Sequence, residues 1–397
     1  MINFLTKAQD LFTYTQSLRR DLHQHPELGF QEIRTAGIVA KELHELGLEI
    51  TTGIAETGVV ALLKGGKPGP TLLLRFDMDA LPITEETGAE YASQTRGKMH
   101  ACGHDGHIAI GLTVARMLNE IRADLAGSVK FIFQPAEEGI VNQAGRSGAG
   151  QMIYEGILEN PHVDYALALH LWNSKPLGWI GVGAGPMMAG AEYFKITLYG
   201  KGGHGAMPQA AIDPIVAAGE IIGALQSIVA RNVDPLKPAV LTVASIQGGE
   251  AFNVIPPKVE MSGTIRTFET EVRDIVLQRF NEIVENTANA MGCKVKIDLK
   301  RISPAVINDA KVAARVQNAA KNLYPETKID AGNYLTMGAE DMAFVLEKVP
   351  GCYFFVGSAN DEKGLNYDHH HPKFDFDEAV LPRAAALMTA GVVELLK

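Results

Sequence analysis

The sequence predicts an α/β protein built on a mostly parallel sheet, with a second domain of the ferredoxin-like β-α-β-β-α-β kind inserted into it. Three observations lead there. Short apolar runs bounded by Gly and Pro alternate with helical periodicity up to about residue 183. After Gly183-Ala184-Gly185-Pro186 the order of elements changes for about 110 residues, and beyond residue 303 the helix–strand alternation resumes. Strands linked by helices form parallel sheets covered on both faces, whereas the split β-α-β-β-α-β order closes a separate sheet. At 397 residues there is chain enough for both.

Taken in order, residues 4–24 carry an apolar stripe of Phe4, Leu5, Ala8, Leu11, Phe12 and Leu18, stopped by His25-Pro26. A second helix over 33–46 ends at Gly47, a good C′ residue. The runs 58–63 and 71–76 read as strands of a buried sheet. A helix over 104–121 presents Ile108, Leu112, Ala115, Leu118 and Ile121 on one face. Strands follow at 128–133, 165–171 and 178–183, with a helix over 150–158. In the insert, strands are expected at 191–199, 239–246, 258–268 and 293–301. Its helices are 213–230, with Asp213 as N-cap and Pro214 at N1, and 270–290. Helices at 309–323 and 338–348, a strand at 352–356 and a closing helix from 377 complete the first domain. The domains are thus 1–187 with 304–397, and 188–303.

Composition narrows the function classes. The chain is 46% hydrophobic and 21% charged, as soluble globular proteins are. A net charge of −10 without any Lys/Arg-rich run argues against nucleic acid as partner. Three scattered cysteines make no disulfide framework and fit a reducing cytosol. Residues 1–20 do not read as a signal peptide, and no run of eighteen apolar residues suggests a membrane span. No Gly-x-Gly-x-x-Gly or P-loop follows a strand, so nucleotide binding is not indicated.

The chemistry concentrates in Met99-His100-Ala101-Cys102-Gly103-His104-Asp105-Gly106-His107. Thiolate and imidazole are both ligands for zinc-like metals, and Gly103 between Cys102 and His104 lets the backbone fold tightly. A lone Cys-x-His is as often a polar loop. Further donors stand at strand ends, however: Glu137-Glu138 after 128–133, His170 at the end of 165–171, and Asp77-Met78-Asp79 after 71–76. The C-terminal side of an open α/β sheet is where such ligands gather. Of two adjacent glutamates, one can bind a metal while the other reaches the attacking water as general base. His369-His370-His371 cannot all face one ion, because successive side chains of an extended segment alternate; one ligand is expected, and spacing alone does not select it. In the insert, His204 flanked by glycines can donate to a developing oxyanion, Asn253 offers a polar donor, and Arg266 can grip a carboxylate bidentately. His23, His25, His44 and His162 read as structural or surface residues.

These stretches, together with Arg20-Asp21-Leu22-His23-Gln24-His25-Pro26-Glu27-Leu28, Gly203-His204-Gly205-Ala206-Met207-Pro208, Phe252-Asn253-Val254-Ile255-Pro256 and Met337-Gly338-Ala339-Glu340-Asp341, resemble the M20 metallopeptidases over essentially the whole chain. The likeness is specifically to the amidohydrolase branch that includes hippurate hydrolases, N-acyl-L-amino acid aminoacylases and plant auxin-conjugate hydrolases. The resemblance implies a zinc-exopeptidase-like catalytic domain and an inserted lid or dimerisation domain. It implies two divalent metal ions, zinc, manganese, cobalt or nickel, with Cys102, His104, Glu138, His170 and, from the branch pattern His-x-Pro, His370 as ligands. Glu137 would be the base, and His204, Asn253 and Arg266 would serve the substrate. Other branches carry a metal-binding His-x-Asp where this chain has Asp77-Met78-Asp79, so Asp79 is left to orient a ligand.

The expected activity is metal-dependent hydrolysis of the amide of an N-acyl-L-amino acid by a cytoplasmic homodimer or homotetramer. A dipeptidase of the same family, a Cys102 nucleophile and a binding protein that has lost catalysis are the rivals. The intact Glu137 argues against the last.

Overall fold

The structure is a computed structural model describing residues 3–332 and 334–397. The chain divides into two compact units, Met1–Met187 with Ile307–Tyr334 and Asp341–Lys397, and Met188–Val306 with Leu335–Glu340.

The first unit is a layered α/β structure. Its eight-stranded sheet runs in the order Glu49–Ile54, Gly58–Lys64, Ala126–Gln134, Lys67–Asp77, Tyr165–Pro176, Gly351–Ala359, Ile180–Gly181, Ile329–Asp330. The four central strands are parallel, and antiparallel pairs extend the sheet on both sides. Burial explains the apolar runs: from Thr71 to Asp77 every residue of its strand is buried, as expected where helices cover both faces. In register, Asp77 lies opposite Gln134. Lys67–Asp77 and Ala126–Gln134 therefore end together, and Asp77 and Gln134-Pro135-Ala136-Glu137-Glu138 leave the sheet there. The strand expected over 165–171 instead continues to Pro176, with His170 inside it opposite Phe355 and just past Ala168, its last residue paired with Lys67–Asp77. The His104–Glu120 helix packs almost wholly buried against the sheet, and Phe12–Gln24 and Val380–Leu395 pack against that helix.

Several local expectations change. The helix over 4–24 is two helices, Phe4–Asp10 and Phe12–Gln24, because Leu11 leaves helical geometry. The strand Glu49–Ile54 escaped the sequence reading because it is a mostly exposed edge with no apolar run. The helix expected over 338–348 shrinks to Ala343–Leu346. Asp341, just before it, is tied by its side chain to Arg75, Gln134 and the Ala149 N–H.

The second unit is an antiparallel four-stranded sheet in the order Ala239–Gln247, Lys258–Thr267, Gly190–Tyr199, Lys294–Ser303. With the helices Pro214–Arg231 and Thr270–Ala290 it completes the ferredoxin-like order. Its core is Phe194, Ile196, Leu198, Val259, Met261 and Ile265 against Ala217, Ile221, Leu225, Val276, Phe280 and Val284. Pro214–Arg231 is long and apolar enough by composition to cross a membrane, yet one face of it packs into this core. A short ladder pairs Gly203–His204 with Val254–Ile255.

Candidate metal centre

Cys102 and His104 flank Gly103, whose φ of +88° is the left-handed conformation that glycine adopts without steric cost. Gly106 lets the first helical turn approach its neighbours: a Cβ there would stand 2.7 Å from the Phe376 ring and 2.9 Å from Leu171. His104 is thereby buried at the mouth of the helix, facing the strand ends.

The ring tautomers follow from the partners. His104 Nδ1 donates to the Asp79 carbonyl at 2.8 Å, which leaves Nε2 buried with no hydrogen-bond partner. His170 Nδ1 donates to the Leu171 carbonyl at 2.6 Å, and its Nε2 lies 3.4 Å from Cys102 Sγ. His107 is different. Its Nε2 accepts the Leu171 N–H at 3.0 Å, so Nδ1 is the protonated nitrogen and donates to Asp77 Oδ1 at 2.6 Å. With both nitrogens engaged, His107 is no ligand, although it lies close to Asp77 and His104. His104 and His170, each donating through Nδ1 to a carbonyl, turn Nε2 to the converging groups, whereas His100, buried with neither nitrogen paired, joins none of them.

Donor atoms of Cys102, His104 and His170 lie within 4.8 Å of one another, as do those of Cys102, Glu138 and His370, and those of His104, Glu137 and Glu138. His370 Nε2 stands 3.3 Å from Glu138 Oε1. That oxygen is buried without a well-formed hydrogen bond, so the approach is electrostatic. The other two histidines of the triplet turn elsewhere. His369 Nε2 donates to the Leu171 carbonyl at 2.9 Å, and the His371 ring stacks on Tyr367 with centroids 4.5 Å apart. His370 is set apart by its backbone, which has φ +66° and an N–H donating to the Ala101 carbonyl at 2.8 Å.

The electrostatics describe a site for a cation. Burial opposes charging of His104, but Asp77, Asp79 and Glu138 outweigh it and lift its pKa to about 10. The carboxylates that attract that proton would equally stabilise a metal ion in its place. Burial, then Glu138, Glu137 and Asp77, hold the Cys102 thiol well above its ordinary value. That is the reverse of what an activated nucleophile needs, and it speaks against the Cys102 rival. Burial also opposes ionisation of Asp77, but His104, Arg75 and His107 hold its carboxyl well below the usual range. The donor set of one thiolate, neutral imidazoles and carboxylates fits zinc-like divalent ions.

Sequence profiles agree with the geometry, since the profile of peptidase family M20/M25/M40 matches residues 73–393. The chain belongs to this family. An N-acetyl-L-cysteine deacetylase of Bacillus subtilis is 40% identical over 96% of this chain and 87% of its own length. A thermostable carboxypeptidase of Saccharolobus solfataricus is 38% identical over 93% of this chain and 92% of its own. Among solved structures, a dinuclear metal-binding peptidase of the M20 family from Bacillus subtilis superposes with a TM-score of 0.84 at 36% identity, covering 98% of this chain and 99% of that one. This M20 chain is accordingly a metal-dependent hydrolase.

On the second unit, His204 and Asn253 meet: His204 pairs with Val254 across the short ladder, and the Asn253 carbonyl accepts the Gly205 N–H at 2.8 Å. Both are exposed. Arg266 stands on the Lys258–Thr267 strand, with burial lowering its pKa and Nη1 buried without a partner.

Sequence reasoning passed over the buried groups behind the site. Arg75 binds Gln134 Oε1 at 2.9 Å and also Asp77. His23, read as structural or surface, is wholly buried on Asp105 and Glu85. Its partners lie 82 and 62 residues away, a separation that no local pattern reveals.

Proposed function

We propose that this family member hydrolyses the amide bond of N-acyl-L-amino acids, with Cys102, His104, Glu138, His170 and His370 holding two divalent metal ions and Glu137 as general base. The observation carrying the reading is the convergence of unsatisfied donors: His104 Nε2 and Glu138 Oε1 are buried without partners, among Cys102, His170 and His370. Buried polar atoms are otherwise nearly always paired. When bound, the metal ions supply polarisation of the acyl carbonyl and bring the pKa of the attacking water down to about 7.

The chain's own residues do the rest. Glu137 takes the proton of the water as its oxygen adds to the acyl carbon. It then passes that proton to the amine nitrogen as the carbon–nitrogen bond breaks, giving a carboxylate and a free amino acid. His204 donates a hydrogen bond to the carbonyl oxygen as negative charge develops there. Arg266, whose Nη1 lacks an acceptor, takes the carboxylate of the amino acid, and Asn253 donates to the substrate beside His204. The inserted unit is proposed as lid and as the seat of a homodimer or homotetramer. The three free cysteines, all buried, fit a reducing cytoplasm.

The test is hydrolysis of N-acetyl-Met, hippurate and Gly-Leu by metal-stripped protein, with and without Mn²⁺, Zn²⁺, Co²⁺ or Ni²⁺, beside Glu137→Gln. The reading expects activity only with metal, preference for the acyl amino acids, and a loss of about 10²–10⁴-fold in the variant. Preference for Gly-Leu would select the dipeptidase instead, and equal activity without metal would end the metal mechanism.

A further inference from the structure

Glu32 occupies the N-cap position of the Ile33–Glu45 helix, where a side chain ordinarily accepts N–H groups of the first turn. It caps nothing there. The amides of Arg34 and Thr35 are taken by Glu27, at 3.1 Å and 2.9 Å. The Glu32 carboxylate, fully buried, turns to two donors distant in sequence. Oε2 accepts the Thr57 hydroxyl at 2.6 Å, and Oε1 accepts the Ala136 N–H at 2.9 Å.

Ala136 is the residue before Glu137-Glu138, and its φ is +48°. A non-glycine residue held there is strained and persists only where its surroundings over-determine it. The surroundings do so here. The Ala136 carbonyl accepts the Gly148 N–H at 3.1 Å. Gly29 leaves the space that Ala136 fills, since a Cβ on Gly29 would come within 2.9 Å of the Ala136 Cβ. On the far side of Glu137, the Glu138 N–H is taken by Asp79 Oδ2 at 2.9 Å. Glu137 thus lies between two peptides, each held through its N–H by a buried carboxylate.

We propose that Glu32 is a positioning residue for Glu137, holding the Ala136 peptide in the left-handed turn that presents the Glu137 and Glu138 side chains. The proposal rests on the reading of Glu137 as general base. Without Glu32 the Ala136 N–H is left buried and unsatisfied, and the turn loses the partner that opposes its relaxation to ordinary backbone. Displacing a reacting group by about 1 Å costs on the order of 10²-fold in rate.

The experiment compares Glu32→Gln, which keeps the reach and an acceptor oxygen, with Glu32→Asp, which keeps the charge but falls short of Ala136, and with Glu32→Ala. Metal-loaded kcat, KM and metal content are measured. In the metal-free proteins, amide exchange is measured across residues 135–139, with Glu137→Gln as control. The expected result is a loss of about 10²-fold in kcat for Glu32→Asp and Glu32→Ala, with KM and metal content unchanged, while Glu32→Gln stays close to wild type. Exchange at the 135–139 amides rises in the same two variants and not in Glu32→Gln. If Glu32→Ala does not fold, the Asp and Gln pair decides. Wild-type kcat in Glu32→Asp beside an inactive Glu137→Gln overturns the positioning role alone. An active Glu137→Gln overturns the reading of the base, while the exchange data still report on the turn.

Discussion

Two buried polar clusters of the first unit touch the same helix start, and they are built on opposite terms. Around Asp105, opposite charges are paired, although its Oδ1 is buried without a hydrogen-bond partner. Its Oδ2 accepts from Arg19 Nε and from His23 Nδ1, both at 2.8 Å, and Arg19 also binds Asp375 at 2.6 Å and Glu378 at 3.3 Å. Around His104, one residue earlier in the chain, metal-ligating atoms face one another, and His104 Nε2 and Glu138 Oε1 go unmatched. The Asp105 cluster is wholly buried, whereas the other grades from buried His104 through half-buried Glu137 and Glu138 to exposed His370, so depth of burial does not mark the functional cluster. Satisfaction does. A matched network holds structure, whereas a convergent unmatched one is completed by something that binds.

The largest effect expected from this contrast is in the matched cluster. Asp105→Ala leaves Arg19 and His23 buried without their shared acceptor and should cost about 3–5 kcal/mol in denaturant unfolding of the metal-free protein. In the unmatched cluster, Glu138→Gln relieves one of the facing carboxylates. It should leave metal-free stability level or raised while abolishing metal uptake, measured by calorimetry. A large destabilisation by Glu138→Gln would erase the distinction.

The pH dependence sharpens the comparison. Burial and Arg19 oppose protonation of His23, but Asp105 and Glu85 outweigh them and raise its pKa to about 9. A histidine raised in the fold contributes stability that is full below the unfolded value of about 6.5 and is lost as pH rises through 9. The shift corresponds to about 3 kcal/mol, so metal-free protein should weaken between pH 6.5 and 9, and His23→Gln should flatten that slope. A slope of opposite sign would show His23 neutral in the fold.

Smaller effects test the residues between the clusters. His107→Gln breaks the Asp77–His107–Leu171 chain behind His170 and should lower metal affinity about 10–100-fold, read by titration, with folding intact. Least of all is expected of His371→Ala, whose ring stacks on Tyr367 and accepts the Lys373 N–H at 3.0 Å; its metal content and kcat should match wild type, while His370→Ala loses metal. Equal loss in both would mean that the triplet acts as a unit.

Much of the architecture was legible. The apolar runs at 58–63, 71–76 and 128–133 announced buried strands because strands covered on both faces cannot be polar, and the β-α-β-β-α-β order announced the insert. Cys102, His104, Glu137, Glu138 and His170 could be named as candidates because turn glycines and apolar runs are local features. What was not legible was relational. Nothing local distinguishes His107, which donates to Asp77 and accepts from Leu171, from His104, which keeps a lone pair. Nothing in Gln31-Glu32-Ile33 points to Ala136, 104 residues on.

By itself the sequence determined the element order, the inserted domain and the short list of chemical donors, because periodicity, turn residues and spacing act over a few residues at a time. The tertiary structure alone decided which donors converge and which tautomer each imidazole holds; within His369-His370-His371 spacing left the choice open, the family pattern pointed to His370, and the fold brings that ring to Glu138. Those outcomes depend on hydrogen-bond partners supplied by strands and helices far apart in the chain, and only the closed fold brings them within a few ångströms of one another.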